Sequence, residues 1–320
     1  KRSVQARPSE LAAIITMFKN DILYNTKRFE SWYLLGKCYS YIVEDDLLWT
    51  ADKISSSEKK AVIATTQKRA ILCYAMSLTL FFENETTRTV DEQIFIVECL
   101  ESLVNELMIA VYKPMEALCF DTNLSSLVVS SSNPATSSEI EKSSVAPIYS
   151  ITDSSIEDTM IKCLTLANRY QESLLEAGKL DRLNWFNFYS IAIVYSTEKL
   201  DRKGDMIDNM SKACELANKY TSVKDSVVEP HVALIHMLYK LYIEGKVTME
   251  DTLSTLKRDK FFEGFDDDFW ILDVSLTQDY QKREFFSKLI ELLKYVISKD
   301  KKKWQHEPYF YIAEILFMEM

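Results

Sequence analysis

The chain has 320 residues, 47% of them hydrophobic, so it can bury a sizeable core and is not a disordered tail. It holds five Gly and six Pro, against roughly twenty Gly at average usage, which excludes the turn-rich sandwiches, barrels and doubly wound sheets and leaves an all-α chain. A net charge of −10 argues against a dedicated DNA-binding face, which needs clustered Lys and Arg, and is compatible with a basic partner.

The first predicted helix spans 9–24, where Leu11, Ile14, Ile15, Phe18 and Ile22 fall on one face and Pro8 and Ser9 suit the start. The second runs from about Phe29 to Glu44 and carries "WYLLGKCY", residues 32–39. This reads W-x-x-L-G-x-x-Y, the first-helix signature of a tetratricopeptide (TPR) unit, which a second helix of A-x-x-x-F type should cover. The next periodic stretch is 59–83, with Ala61, Ile63, Ala70, Ile71, Tyr74, Leu78 and Phe81. Ala70 and Tyr74 take the A-x-x-x-F places, but they come about 22 residues late. The sequence therefore predicts an insertion in the turn, with Glu44, Asp45 and Asp46 opening it and Trp49 inside it. A fourth helix covers 90–112 on the stripe Ile94, Val97, Leu100, Val104, Leu107, Met108 and Val111.

From 122 to 155 the sequence is dense in Ser and poor in aromatics, which reads as a linker or long loop, largely disordered. Helices resume at Ile156, with Gly178 a suitable C-cap, and six further amphipathic segments follow across short polar turns. The small-between-large spacing recurs as Phe188, Ile191, Ala192, Tyr195 and as Tyr309, Ile312, Ala313, Leu316. A small residue lets the facing helix approach, and pairs of this kind stack because none buries its apolar face alone. The expected fold is all-α, a TPR-like helical-repeat solenoid of antiparallel helix pairs. Its expected divisions are helical repeats over 1–121, the Ser-rich stretch over 122–155, and further TPR-like repeats over 156–320. Trp32, Leu35, Gly36, Tyr39, Ala70 and Tyr74 are the expected packing positions.

The search for chemistry is negative. Five isolated glycines form no phosphate loop, and His231 and His236 lack the H-E-x-x-H arrangement of a zinc helix. Asp266, Asp267 and Asp268 begin like the D-D-x-x-D of magnesium-dependent prenyl transfer, but the fifth position is Trp270 or Ile271, so they read as a solvated turn or N-cap. Lys299, Lys301, Lys302 and Lys303 read as cations complementing a helix C-terminus. The six cysteines include no C-x-x-C pair, the pattern of reduced thiols in a cytosolic or nuclear protein. No segment is apolar enough to span a bilayer, and with Lys1 rather than Met at its start the chain is expected to be a fragment or a processed piece. No enzyme activity, cofactor, metal site or membrane association is expected.

Read longer, "ESWYLLGKCYSYIVEDDLLWTADKI", residues 30–54, resembles a segment of the TPR scaffold subunit of the histone-regulation (HIR/HIRA) chaperone complex, the fungal relative of calcineurin-binding protein cabin. The matching positions are Glu30, Ser31, Trp32, Leu35 and Tyr39, then Glu44, Asp45, Asp46, Trp49, Ala51, Asp52 and Lys53. "QKRAILCYAMSLTL", residues 67–80, looks like the next helix of that family, "VYKPMEALCF" at 111–120 is a looser match, and "KKWQHEPYFYIAEILF" has a similar flavour to a later segment. The resemblance implies a non-catalytic nuclear scaffold that binds other subunits of the complex, and histones or another histone chaperone, without specific DNA contact. It implies a role in replication-independent nucleosome assembly and histone gene repression. Glu44, Asp45, Asp46, Trp49 and Asp266 to Asp268 are the candidate partner contacts. The competing expectation is a generic TPR adaptor that binds a peptide or chaperone tail in its groove.

Overall fold

The structure is a computed structural model and describes residues 8–48, 56–83, 89–120, 153–197, 202–219, 226–273, 275, 277–303 and 305–319. Among these residues there are eleven α-helices and no strand. Packing divides the chain into two compact units, Lys1–Asp181 and Arg182–Met320.

The first unit contains α1 (Pro8–Tyr24), α2 (Phe29–Leu48), α3 (Ser57–Glu83), α4 (Val90–Val111) and α5 (Asp153–Glu176). Each helix packs on its neighbour in the chain, and the α2–α3 hairpin makes the most extensive contact. The reason lies at Gly36. A Cβ there would sit 2.8 Å from Cε1 and 2.9 Å from Cδ1 of Tyr74, so only glycine admits the ring. Tyr74 is fully buried, and the stripe around it joins Tyr33, Leu35, Tyr39 and Val43 of α2 to Ile63, Ala64, Ala70 and Phe81 of α3. Phe29 meets Phe81 and Phe95 edge-on at 5.4 and 5.2 Å, drawing α4 onto the same core. Thr89 starts α4 with a capping box: its hydroxyl accepts from the Glu92 N–H, and the Glu92 carboxylate accepts from the Thr89 N–H at 2.7 Å.

Two expectations change here. Glu44, Asp45 and Asp46 do not open a turn, because α2 continues to Leu48. Val43 is fully buried and Leu47 half-buried, one helical turn apart, so the apolar period runs through the acids and places Glu44 and Asp45 outward. Part of the apparent insertion is therefore helix, in an α2 of 20 residues and an α3 of 27. Trp49 and residues 50–55 lie outside the described residues. Of the Ser-rich stretch at 122–155, residues 122–152 also lie outside them, while Asp153 to Ser155 form the first turn of α5. The sequence grouped this helix with the later repeats; it packs on α4 and clusters with the first unit. Gly178, just past its end, takes φ +66°, and the Lys179 N–H reaches back to the Leu174 carbonyl at 2.8 Å, closing the helix as expected.

The second unit contains α6 (Trp185–Tyr195), α7 (Lys203–Lys219), α8 (Glu229–Ile243), α9 (Met249–Lys257), α10 (Gln278–Lys299) and α11 (Glu307–Glu319). The central helix is α8, which touches α7, α9, α10 and α11. Ile191, Ala192 and Tyr195 are buried as the α6 spacing requires. The same spacing in α11 does not bury its small residue: Ala313 is exposed, and Tyr309 and Leu316 are 56% and 47% exposed. No helix among the described residues is long and apolar enough to cross a membrane.

Candidate functional site

Five of the six predicted packing positions are buried: Leu35, Gly36 and Tyr39 on α2, and Ala70 and Tyr74 on α3. Trp32 is only half-buried, and its indole N–H donates to the Thr26 carbonyl at 3.2 Å. The core place goes to the next residue, Tyr33, whose ring meets Phe95 edge-on at 4.7 Å. The large residue of the motif thus marks the rim of the hairpin.

A polar chain crosses this apolar hairpin. The Tyr74 hydroxyl lies 2.9 Å from Ser40 Oγ, and Ser40 donates to Glu106 Oε2 at 2.5 Å, linking α3, α2 and α4. Burial pushes the Glu106 carboxyl above the ordinary carboxylate range, against the opposing pull of the Ser40 hydrogen bond. Burial also raises Cys73 and Cys163 to about 11 and Cys99 and Cys119 to about 12. These thiols stay protonated at neutral pH and are poor nucleophiles. All six cysteines are free.

The acidic candidates lie in different units. Glu44 and Asp45 are exposed on α2 and Asp46 is half-buried there. Asp266, Asp267 and Asp268 are exposed at a 3-10 turn over Asp267–Trp270, with Asp267 2.7 Å from Lys257 Nζ. Beneath them Phe262 and Trp270 are buried and Phe265 meets Tyr295 edge-on at 5.1 Å, so the turn is anchored by its aromatics and the acids are left in water.

Sequence reasoning missed one cluster. Cys214 of α7, His231 of α8 and Asp259, two residues past α9, are all buried, and their donor atoms lie within 4.8 Å of one another. His231 Nδ1 is 2.5 Å from Asp259 Oδ2, and the imidazole stacks on Phe261 at 4.1 Å. Asp259 Oδ1 accepts from Asn218 Nδ2 at 2.9 Å and from the Phe261 N–H at 3.0 Å. Burial alone would raise the Asp259 carboxyl, but the bonds from His231, Phe261 and Asn218 outweigh it and hold the group below its usual range. Cys, His and carboxylate are zinc-type donors. Here both carboxylate oxygens are already engaged, and the cluster acts as a hydrogen-bonded pin between α7, α8 and the turn after α9. No spacing could have revealed it, since its members are isolated in the sequence and meet only when three elements pack.

The fold and these sites define a helical-repeat protein whose distinctive chemistry is surface charge and buried structural polar groups, the class that works through protein–protein contact. Two family models match: the HIR3 helical bundle domain over residues 1–171 and the HIR3 TPR domain over 205–320. The chain is 99% identical along its whole length to a Histone transcription regulator 3 homolog of Candida glabrata, covering 20% of that protein. It is 37% identical, again over the whole chain, to the Histone transcription regulator 3 homolog of Kluyveromyces lactis, covering 19% of it, and 29% identical to that of Candida albicans over 99% of the chain, covering 18%. The chain belongs to the HIR3 family and spans about a fifth of the length of these relatives. The resemblance seen between residues 30 and 120 extends to the whole chain. The TPR description falls on 205–320, whereas the half carrying W-x-x-L-G-x-x-Y is described as a helical bundle.

Proposed function

We propose that this chain is a non-catalytic part of a nuclear histone chaperone scaffold. It binds other subunits of a HIR-type complex, and through them histones or another histone chaperone, in support of replication-independent nucleosome assembly and histone gene repression. The observation that supports this reading is the outward acidic face of α2, where Glu44 and Asp45 stand in water beside a buried Val43. Charge at such a place serves recognition more than packing. Trp49 and Asp266 to Asp268 are the further proposed contacts. The histone regulator names of the relatives point the same way.

The test is charge reversal. Glu44→Lys with Asp45→Lys weakens binding to a purified partner subunit and leaves the melting temperature unchanged. Equal loss of binding and folding would instead make the acids structural. The adaptor alternative, in which a groove takes a peptide, would show itself as binding of chaperone C-terminal peptides with no affinity for the HIR-type subunits.

A further inference from the structure

The overall acidity of the chain conceals a local inversion of charge in the second unit. A cleft of about 500 Å³ opens between α6, α7, α8 and α11. Its floor is aromatic and sulfur-rich: Tyr189, Tyr195, His236 and Tyr311, with Met206 and Met237. His236 stacks on Tyr311 at 3.6 Å and 13°, which fixes α8 against α11 and gives the floor a rigid flat wall. Burial, with Lys240 adding to it, lowers His236 to about 4, so the imidazole is neutral at physiological pH.

The rim is cationic. Arg202, Lys203, Lys240 and Lys246 line it, against the carboxylates Glu244 and Glu307. Glu244 is occupied by Lys246 at 2.8 Å. Lys203 donates to the Lys246 carbonyl, which leaves its charge uncompensated. Arg202 lies over the Tyr195 ring at 5.8 Å. Among the described residues no carboxylate is within ion-pair distance of Arg202, Lys203 or Lys240. Among the described residues these three cations have no ion pair, and together with Lys246 they outnumber the carboxylates at the cleft, Glu244 and Glu307 on its rim and Glu314 at 3.4 Å from His236 Nε2, so the balance of charge over the aromatic floor is positive on a chain of net charge −10.

We propose that this cleft docks an acidic peptide segment of a partner protein, one apolar side chain resting on the Tyr189–Tyr311 floor while flanking carboxylates meet Arg202, Lys203 and Lys240. The combination selects the ligand class. A free small anion would leave the aromatic floor unused. A short acidic peptide with one aliphatic or aromatic anchor uses both features. This deepens the scaffold reading by giving one partner segment its chemistry.

Fluorescence anisotropy of the whole chain with a labelled synthetic peptide, Asp- and Glu-rich around a central Leu-Phe pair, tests it. The acidic peptide binds, and more weakly as salt is raised. Arg202→Glu with Lys240→Glu reduces its affinity at least about tenfold, as close charge reversal requires. The melting temperature is unchanged, since both side chains are exposed. Lys37→Glu in the first unit leaves affinity as it was. Three results would overturn the proposal: no binding of the acidic peptide, binding indifferent to the double reversal, or equal binding of single-stranded DNA of the same charge. The assay contains no other subunit, so failure of the cleft leaves subunit assembly to be judged by itself.

Discussion

Gly36→Ala adds a single methyl group at the closest approach of α2 and α3. The new Cβ would lie 2.8 and 2.9 Å from two carbons of the Tyr74 ring and 3.2 Å from a third. The ring has no room to yield, because it is fully buried and its hydroxyl is held by Ser40 at 2.9 Å. Overpacking of this kind costs about 2–3 kcal/mol, and the helix-propensity gain of Ala over Gly returns about 1. The net loss is about 1–2 kcal/mol, which lowers the melting temperature by roughly 3–6 °C for a unit of this size. Gly204→Ala is the control. That glycine sits in the first turn of α7 with nothing within 4 Å of its Cβ position, so the same exchange there is neutral or mildly stabilising. Thermal denaturation of both variants decides the matter. If Gly36→Ala melts at or above the parent temperature, the close α2–α3 contact is not what holds the hairpin.

Glu106→Gln tests the buried carboxyl. Its folded-state pKa is raised by burial, so the folded chain keeps a proton over a pH range in which the unfolded chain has lost it, and stability falls as pH rises through that range. The amide variant therefore melts higher than the parent at pH 8, and the difference shrinks toward pH 4; a constant difference would contradict the assignment. Asp259→Ala strands His231, Asn218 and the Phe261 N–H, with an expected loss of about 3 kcal/mol by chemical denaturation. Prolonged EDTA treatment leaves the parent's melting temperature unchanged if the cluster is a hydrogen-bonded pin, and lowers it if a metal holds the three residues. Trp32→Ala costs about 2 kcal/mol, less than the 3–5 that full burial of a Trp implies.

All eleven helices were legible as apolar stripes at helical spacing, and Gly36 was legible as the small residue that lets the facing helix approach, while the ring it admits, Tyr74, is identified by the packing. The acidic trio at 44–46 was misleading: three acids in a row look like a turn, yet Val43 and Leu47 carry the period through them. Trp32 was weighted by its size, while burial depends on the angle at which a residue leaves the helix, and that angle favours Tyr33. The recurring spacing in α11 gave no information about what covers it, since Ala313 is exposed. Neither the Cys214–His231–Asp259 pin nor the cationic cleft has a linear pattern. Each is assembled from single residues on three or more elements that only tertiary packing brings together.

The central claim, that this chain works by holding partner subunits, is tested most directly by mixing it with the separately purified subunits of a HIR-type complex and measuring the mass of what elutes from a size-exclusion column. The account predicts a stable co-eluting species with at least one subunit, diminished by Glu44→Lys with Asp45→Lys. Elution of every component at its own mass, with the chain folded, would contradict it.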